Sequence, residues 1–491
     1  MSALRRGLGQ QVLQAAWRHS TRSGAGPVHT FDSVCRASTV GCWERFFSSQ
    51  AAQEQQFASR SAELIAKEQR YTANNYKPVP VVFSRALGAV VWDADGKTYL
   101  DFLSGYSAIN QGHSHPKIIK AITEQAQLCA LTARAFHNDR LPDYAELLTK
   151  LLGYESMLPT NTGAEAVDSA LKLARKWGYT VKGIPANQAQ IVSCCGCFHG
   201  RSFGAVAMSC DPDATTNFGP ALPGMLKVDY GDLKQLEETF EKHGPTIAAF
   251  IFEPIQGEAG VIVPPDGYHT GVRELCSKHN ILMIADEVQT GLCRTGSMLA
   301  IDHEGVRPDI VTLGKALSGG TMPVSAIVAD RHIMDCFQPN QHGSTFGGSP
   351  LTSAVAVAAL NVLVDEQLAE RAQKHGELMH SLLQEMKEEF SAISSVRGRG
   401  LLQAIDIDDE YIHAYDICKA LKARGVLSKN TQSKTIRFAP PLVVSEVQLR
   451  EAMDTLRTVL REDLPRMRDE RAGVPVSIEV QTCERCGRQL N

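Results

Sequence analysis

The chain has 491 residues, of which 43% are apolar and 21% charged, the composition of a globular protein of two or three domains rather than a disordered or fibrous one. A net charge of −4 gives no electrostatic footprint for nucleic acid, and no apolar run approaches the ~18 residues of a membrane span, so neither is expected as a partner. Thirteen irregularly spaced cysteines point to a reducing compartment, not to a disulfide framework.

Residues 1–50 stand apart. Six arginines (Arg5, Arg6, Arg18, Arg22, Arg36, Arg45) face two acids, Asp32 and Glu44, a balance of +4 that leaves the remainder at −8. Leu4, Leu8, Val12 and Trp17 share one face of a possible helix. An arginine- and serine-rich, acid-poor amphipathic start reads as a mitochondrial transit peptide, with Arg45–Ser49 as a processing site and the matrix as destination. Residues 51–103 form an N-terminal segment. Strands are expected over Val79–Phe83, Ala89–Trp92 and Thr98–Phe102, with an Asp-Gly turn at 93–96. Pro116 opens a helix to about Ala130, with Ile118, Ile119 and Ile122 on one face.

Residues 104–366 alternate apolar runs with amphipathic ones. The strand-like runs are Gln190–Ser193, Ala248–Phe252, Ile281–Ala285 and Ile310–Leu313. Helices are expected over Ala164–Gly178, Tyr268–Lys278 and Pro350–Val364. This alternation predicts a large α/β domain around a mostly parallel sheet. Residues 367–464 read as a smaller α+β domain: a charged helix over Leu368–Phe390, then strands at Leu401–Ile407 and Thr435–Phe438. Its last helix starts at Ser445, where Gln448 completes a capping box and Leu449, Met453, Leu456 and Leu460 form one face. Residues 465–491 read as a polar tail.

In such a sheet, function sits at the carboxyl ends of the strands. Asp286 ends one of them. A carboxylate there is costly unless paired, so it either caps a turn or faces a cationic ligand atom. Lys315 leaves the next strand beside Gly314. Desolvation would lower its pKa and make the amine a nucleophile toward carbonyls, the alternative being a surface lysine on a turn. Gly163 and Ala164 open a helix whose N–H groups and dipole suit a phosphate. Ser344-Thr345-Phe346-Gly347-Gly348 is a second loop of small residues. One cofactor would use all four features: pyridoxal 5'-phosphate, an aldehyde with a phosphate and a pyridinium nitrogen.

The run Leu282–Gly291, followed by Arg294-Thr295-Gly296 and Leu313–Gly320, is similar to the signature of the class III aminotransferases, which are fold-type I pyridoxal-phosphate enzymes. The resemblance spans about residues 60 to 462. It implies a mostly parallel seven-stranded sheet in the large domain. Asn75–Pro78, Asp101–Ala108, Asn110–His113, Leu173–Tyr179, Glu253–Gly260 and Ile436–Pro441 resemble the ornithine-acting branch of the class.

The resemblance implies roles. Lys315 would form the Schiff base and carry the proton. Asp286 would keep the ring nitrogen protonated, and Gln289 would bond the ring hydroxyl. Phe198 and Val288 would cover the two ring faces. Gly163, Ala164, Ser344 and Thr345 would hold the phosphate, the last two from a neighbouring subunit, which implies a homodimer or higher oligomer. Guanidinium groups suit carboxylates bidentately. Arg201 would bind the distal carboxylate of glutamate or, with Tyr76, the α-carboxylate of ornithine. Arg437 would bind the α-carboxylate of glutamate, and Glu258 would mask it during the ornithine half-reaction. Tyr106 would line the pocket. The implied reaction moves the δ-amino group of ornithine to 2-oxoglutarate by a ping-pong route. N-acetylornithine and 4-aminobutyrate are the alternative donors, with Tyr76 and Tyr106 as discriminators, since the 4-aminobutyrate enzymes carry aliphatic residues there. A non-catalytic scaffold is the rival of another kind, and Lys315 and Asp286 speak against it. Position 199 departs from the branch, which has tryptophan where this chain has His199. His113 and His115 lack further ligands for a metal. Cys194, Cys195 and Cys197 read as buried thiols, and Cys483 with Cys486 as a lone pair in the tail.

Overall fold

Short strands come first in the chain: β1 (Phe83–Leu87), β2 (Val90–Asp93) and β3 (Thr98–Asp101) form an antiparallel meander. The computed structural model describes residues 59–408 and 412–471, with the backbone of 481–482 and 489–490. The expected transit peptide and the Cys483/Cys486 pair lie outside the described residues. β1 starts at Phe83 instead of Val79, because Pro78 and Pro80 have no N–H and Val81 N–H turns back to Val79 O at 2.8 Å. The turn into β3 is pinned by Asp93, whose carboxylate accepts from the N–H groups of Asp95 (3.0 Å) and Lys97 (2.8 Å).

The central sheet holds β4 (Ser156–Thr160), β5 (Gln190–Cys194), β6 (Met225–Val228), β7 (Ile247–Phe252), β8 (Leu282–Asp286), β9 (Ile310–Leu313) and β10 (Ser325–Ala329). Its order is β4-β10-β9-β8-β7-β5-β6. All pairs are parallel except those of β10, which runs antiparallel to both neighbours. β7, β8 and β9 are buried on both faces, as continuous apolar runs require. Ile191, Ile251 and Ile284 pack with the helix Gly163–Trp177 on one side. Phe250, Met283 and Val311 pack with the helices Tyr268–Lys278 and Pro350–Asp365 on the other.

Later residues supply β11 (Ile393–Arg399), β12 (Leu402–Ile407), β13 (Val426–Leu427), β14 (Lys429–Thr431) and β15 (Thr435–Phe438). β11-β12-β15-β14 make an antiparallel sheet, whereas β13 adds in parallel to β3. The helix Leu368–Glu389 lies against β11 and against the helix Glu446–Thr458, whose N-cap is Ser445 with the Gln448 capping box. Past Pro465 the expected polar tail is instead helical over Leu464–Glu470. This segment runs on from the helix Glu446–Thr458 through a wider turn at Val459–Asp463, an irregularity that precedes Pro465 directly, and Leu464 is buried. Among the described residues no single helix is long and apolar enough to cross a membrane.

Candidate active site

The carboxyl ends of β8 and β9 set out the chemistry. Asp286 closes β8 with a buried carboxylate. It accepts from His199 Nδ1 at 2.6 Å, Thr312 Oγ1 at 2.9 Å and Val288 N–H at 3.1 Å. Burial alone would raise its pKa, but these donors outweigh burial and hold it below the usual carboxylate range. The His199 side chain is fully buried. Burial opposes its charge, yet Cys197 and Asp286 push its pKa well above the ordinary value, which favours the charged imidazole beside the carboxylate.

Lys315 follows β9 in the left-handed region, at φ 43°. Burial lowers the pKa of its amine, against the opposing pull of Glu258 and Asp286. Val288 lies against two glycines: a Cβ at Gly163 would sit 2.8 Å from it, and one at Gly314 3.3 Å. Gln289 is buried beside Gly257, and its Nε2 has no protein partner. Thr162 caps the helix Gly163–Trp177 by accepting from Glu165 N–H at 3.2 Å. The N–H groups of Gly163 and Ala164 are left open, as first-turn donors are. A cavity of 340 Å³ joins Asn161, Thr162, Gly163 and Lys315. An amine, an ionised carboxylate, an orphan amide donor and open helix N–H groups suit a ligand with a carbonyl, a ring cation, a ring hydroxyl and a phosphate.

Phe198, exposed, donates its N–H to Glu253 Oε1 at 2.8 Å, and Glu253 also accepts from Gly257 N–H at 3.1 Å. Burial pushes the Glu253 carboxyl up to about 7. Arg437 on β15 is buried and donates to Glu258 Oε1 at 3.0 Å. Its guanidinium also lies 5.0 Å from the centre of the Tyr106 ring. Tyr106 sits in a left-handed turn: φ is 45° at Ser104, 57° at Gly105, 60° at Tyr106 and 69° at Ser107. Asp101 holds that turn by accepting from the N–H groups of Leu103 and Ser104, both at 2.8 Å. Arg201 and Tyr76 are both exposed and face each other at 5.9 Å. Ser344 Oγ accepts from Asn161 Nδ2 of its own chain at 2.6 Å, and Thr345 is exposed.

The structure thus brings Lys315, Asp286, Val288, Gln289, Gly163 and Ala164 to one place, with Glu258, Arg437 and Tyr106 beside them. His113 and His115 are each spent on a carboxylate, Asp101 at 2.8 Å and Glu366 at 3.0 Å. Cys194, Cys195 and Cys197 are buried. Sequence reasoning missed Thr312, Glu253 and the pairing of His199. Glu253 had a signal, since it follows the buried β7 as Asp286 ends β8. The Asp286–His199 contact spans 87 residues and had none.

A family model described as Aminotransferase class-III matches residues 71–460. The mitochondrial ornithine aminotransferase of Oryza sativa is 56% identical over 437 residues, covering 88% of this chain and 92% of that one. Among solved structures, the ornithine aminotransferase of Toxoplasma gondii superposes with a TM-score of 0.81 at 42% identity, covering 88% of this chain and 100% of that one, and is reported with partial occupancy of PLP at its active site. The acetylornithine aminotransferase of Elizabethkingia anophelis superposes with a TM-score of 0.75 at 50% identity, covering 82% of this chain and 99% of that one. The chain belongs to the class III aminotransferases, in the branch of the ornithine aminotransferases.

Proposed function

We propose that the chain transfers the δ-amino group of L-ornithine to 2-oxoglutarate, giving glutamate and glutamate-5-semialdehyde, which cyclises to pyrroline-5-carboxylate. One observation carries this reading: the two carboxylate-binding arginines are in different states. Arg437 is buried and paired with Glu258, whereas Arg201 is exposed beside Tyr76. An incoming amino acid therefore meets Arg201 as the open carboxylate receptor. Held there by its α-carboxylate, ornithine presents its far amine to Lys315 and keeps its α-amine away.

PLP, when bound, supplies the electron sink that stabilises negative charge at the reacting carbon. Asp286, as an ionised carboxylate, would hold the ring nitrogen, Gln289 would donate to the ring hydroxyl, and Phe198 and Val288 would cover the ring. Gly163 and Ala164 offer N–H groups to the phosphate. Lys315, its pKa lowered by burial, holds and moves the proton at the substrate carbon. In the second half-reaction Glu258 releases Arg437, which takes the α-carboxylate of the dicarboxylate substrate while Arg201 takes the distal one. Ser344 and Thr345 would reach the phosphate of a second copy in a homodimer, Ser344 by giving up its bond from Asn161 of its own chain. The exposure of Thr345 and of Phe346, at 57%, supports that assignment. The arginine-rich first fifty residues support delivery to the mitochondrial matrix.

The PLP-loaded protein, mixed with ornithine and no oxo acid, is expected to release about one pyrroline-5-carboxylate per subunit, as a ping-pong half-reaction requires. The Elizabethkingia neighbour makes N-acetylornithine the second donor to try. Turnover with N-acetylornithine or 4-aminobutyrate and none with ornithine would overturn the proposal.

A further inference from the structure

Glu258 cannot serve both half-reactions from one position. Masking Arg437 requires their contact, and freeing Arg437 strands a carboxylate whose side chain is only 34% exposed. A partly buried charge without a partner is unfavourable, so its release needs a second cation within reach. β14 supplies one. In the pairing of β14 with β15, Lys429 is the register partner of Arg437. Directly opposed residues leave a sheet on the same face, with Cβ atoms about 5 Å apart. Both cations lie on one aromatic ring: the Arg437 guanidinium is 5.0 Å and the Lys429 amine 5.9 Å from the centre of Tyr106.

The backbone of Glu258 is fixed relative to this strand. Its carbonyl accepts from Thr431 Oγ1, two residues along β14 from Lys429, and from Gln432 Nε2 at 3.3 Å. The main chain at 258 is therefore a fixed pivot, and only its side chain has to move. Among the described residues, the Lys429 side chain has no carboxylate within ion-pairing distance and no hydrogen bond. Lys429 is half-buried, with its amine over the ring. Burial would raise the Glu258 carboxyl, but Arg437 first, then Lys315 and Lys429, hold it low. Lys315 is the other cation near by, and it is committed to the reacting centre.

We infer that Lys429 is the second berth of the Glu258 carboxylate: the cation that receives it when Arg437 turns to a substrate carboxylate. This rests on the proposed roles of Arg437 and Glu258. Lys429 is thus a positioning residue, which sets the choice between the ornithine and glutamate half-reactions without touching substrate.

The test uses PLP-loaded full-length protein and both half-reactions measured singly. In Lys429→Met, which keeps the stem on Tyr106 and removes the charge, the ratio of kcat/KM for ornithine to that for glutamate is expected to rise by about tenfold or more. Lys429→Arg is expected to return the ratio to within about threefold of wild type. Glutarate, an unreactive dicarboxylate, should bind Lys429→Met about tenfold more weakly by calorimetry, a readout independent of turnover. In the Glu258→Gln background no carboxylate needs a berth, so Lys429→Met should add no further change in the ratio. Lys429→Gln replaces the methionine variant if that one does not fold. A parallel fall in both half-reactions, an unmoved ratio, or the same shift in the Glu258→Gln background would overturn the inference. A wild-type protein inactive in either half-reaction would instead refute the proposed function.

Discussion

The Asp286–His199 pair is the residue-scale feature on which the site turns. A buried carboxylate ordinarily takes up a proton. Here His199, Thr312 and Val288 donate three hydrogen bonds to it, the shortest being 2.6 Å from a fully buried imidazole. His199→Phe removes the strongest donor and its charge together. The Asp286 pKa should then climb toward neutrality, and PLP should bind about tenfold or more weakly at neutral pH, since one pKa unit corresponds to about 1.4 kcal/mol. The loss should shrink as pH rises and Asp286 ionises without help. A titration of PLP by absorbance at several pH values checks this. A loss independent of pH would mean that His199 only fills space. His199 also departs from the tryptophan that the resemblance implies there, a side chain that offers one N–H and no charge.

At the scale of elements, what could be read in advance followed from local signals. β7, β8 and β9 announce themselves as apolar runs, and Lys315 and Asp286 are found because they end them. β4 escaped because Pro159 interrupts it. It is an edge strand, bonded only to β10, where proline is tolerated. β10 escaped because it returns antiparallel through a short 3₁₀ turn and breaks the strand–helix alternation. The cluster of Glu258, Arg437, Tyr106 and Lys429 follows from strand register and from a left-handed turn, neither of which has a sequence period. The turn after β8 carries its own prediction. Glu287 accepts from Thr290 Oγ1 and from Ile301 N–H at 2.9 Å, and so ties the turn to the residues that follow it. Burial raises its carboxyl from 4.5 to about 7. Below 4.5 both folded and unfolded chains are protonated there. Between 4.5 and about 7 the unfolded chain ionises first, so the folded state binds more protons and stability falls as pH rises; above about 7 the loss is complete. The full loss from this group is roughly 3 kcal/mol. Glu287→Gln should remove that component, so the difference between wild-type and variant urea midpoints should change across the window and flatten above it. A pH-independent difference would refute the assignment.

Across the whole molecule, one fully buried guanidinium joins segments far apart in sequence. Arg294 Nη1 donates to the carbonyls of Leu401 at 2.9 Å and Pro440 at 2.6 Å. Its Nη2 donates to Asn110 Oδ1 at 2.6 Å and Ser104 Oγ at 3.2 Å. The loop after β8 is thereby fastened both to the N-terminal turn that presents Tyr106 and to the residues following β15 that carry on from Arg437. The parallel pairing of β13 with β3 reinforces the same union. Among the described residues no carboxylate pairs directly with it, and Asp101 is the acid close enough to favour its charge. Burial lowers the Arg294 pKa to about 9 against the opposing pull of Asp101, so the group is still protonated at neutral pH, with four neutral acceptors in direct contact. Arg294→Met fills similar volume but leaves those acceptors unmet in the interior, which should cost about 3–5 kcal/mol in urea unfolding. Arg294→Lys keeps the charge without the planar fork, cannot reach both sides at once, and should fall between. Because the same fork fixes Ser104 and Pro440, the methionine variant should also lose discrimination between ornithine and glutamate, through displacement of Tyr106 from Arg437. A methionine variant within about 1 kcal/mol of wild type would show that the four acceptors find other partners and that packing alone holds the two regions together.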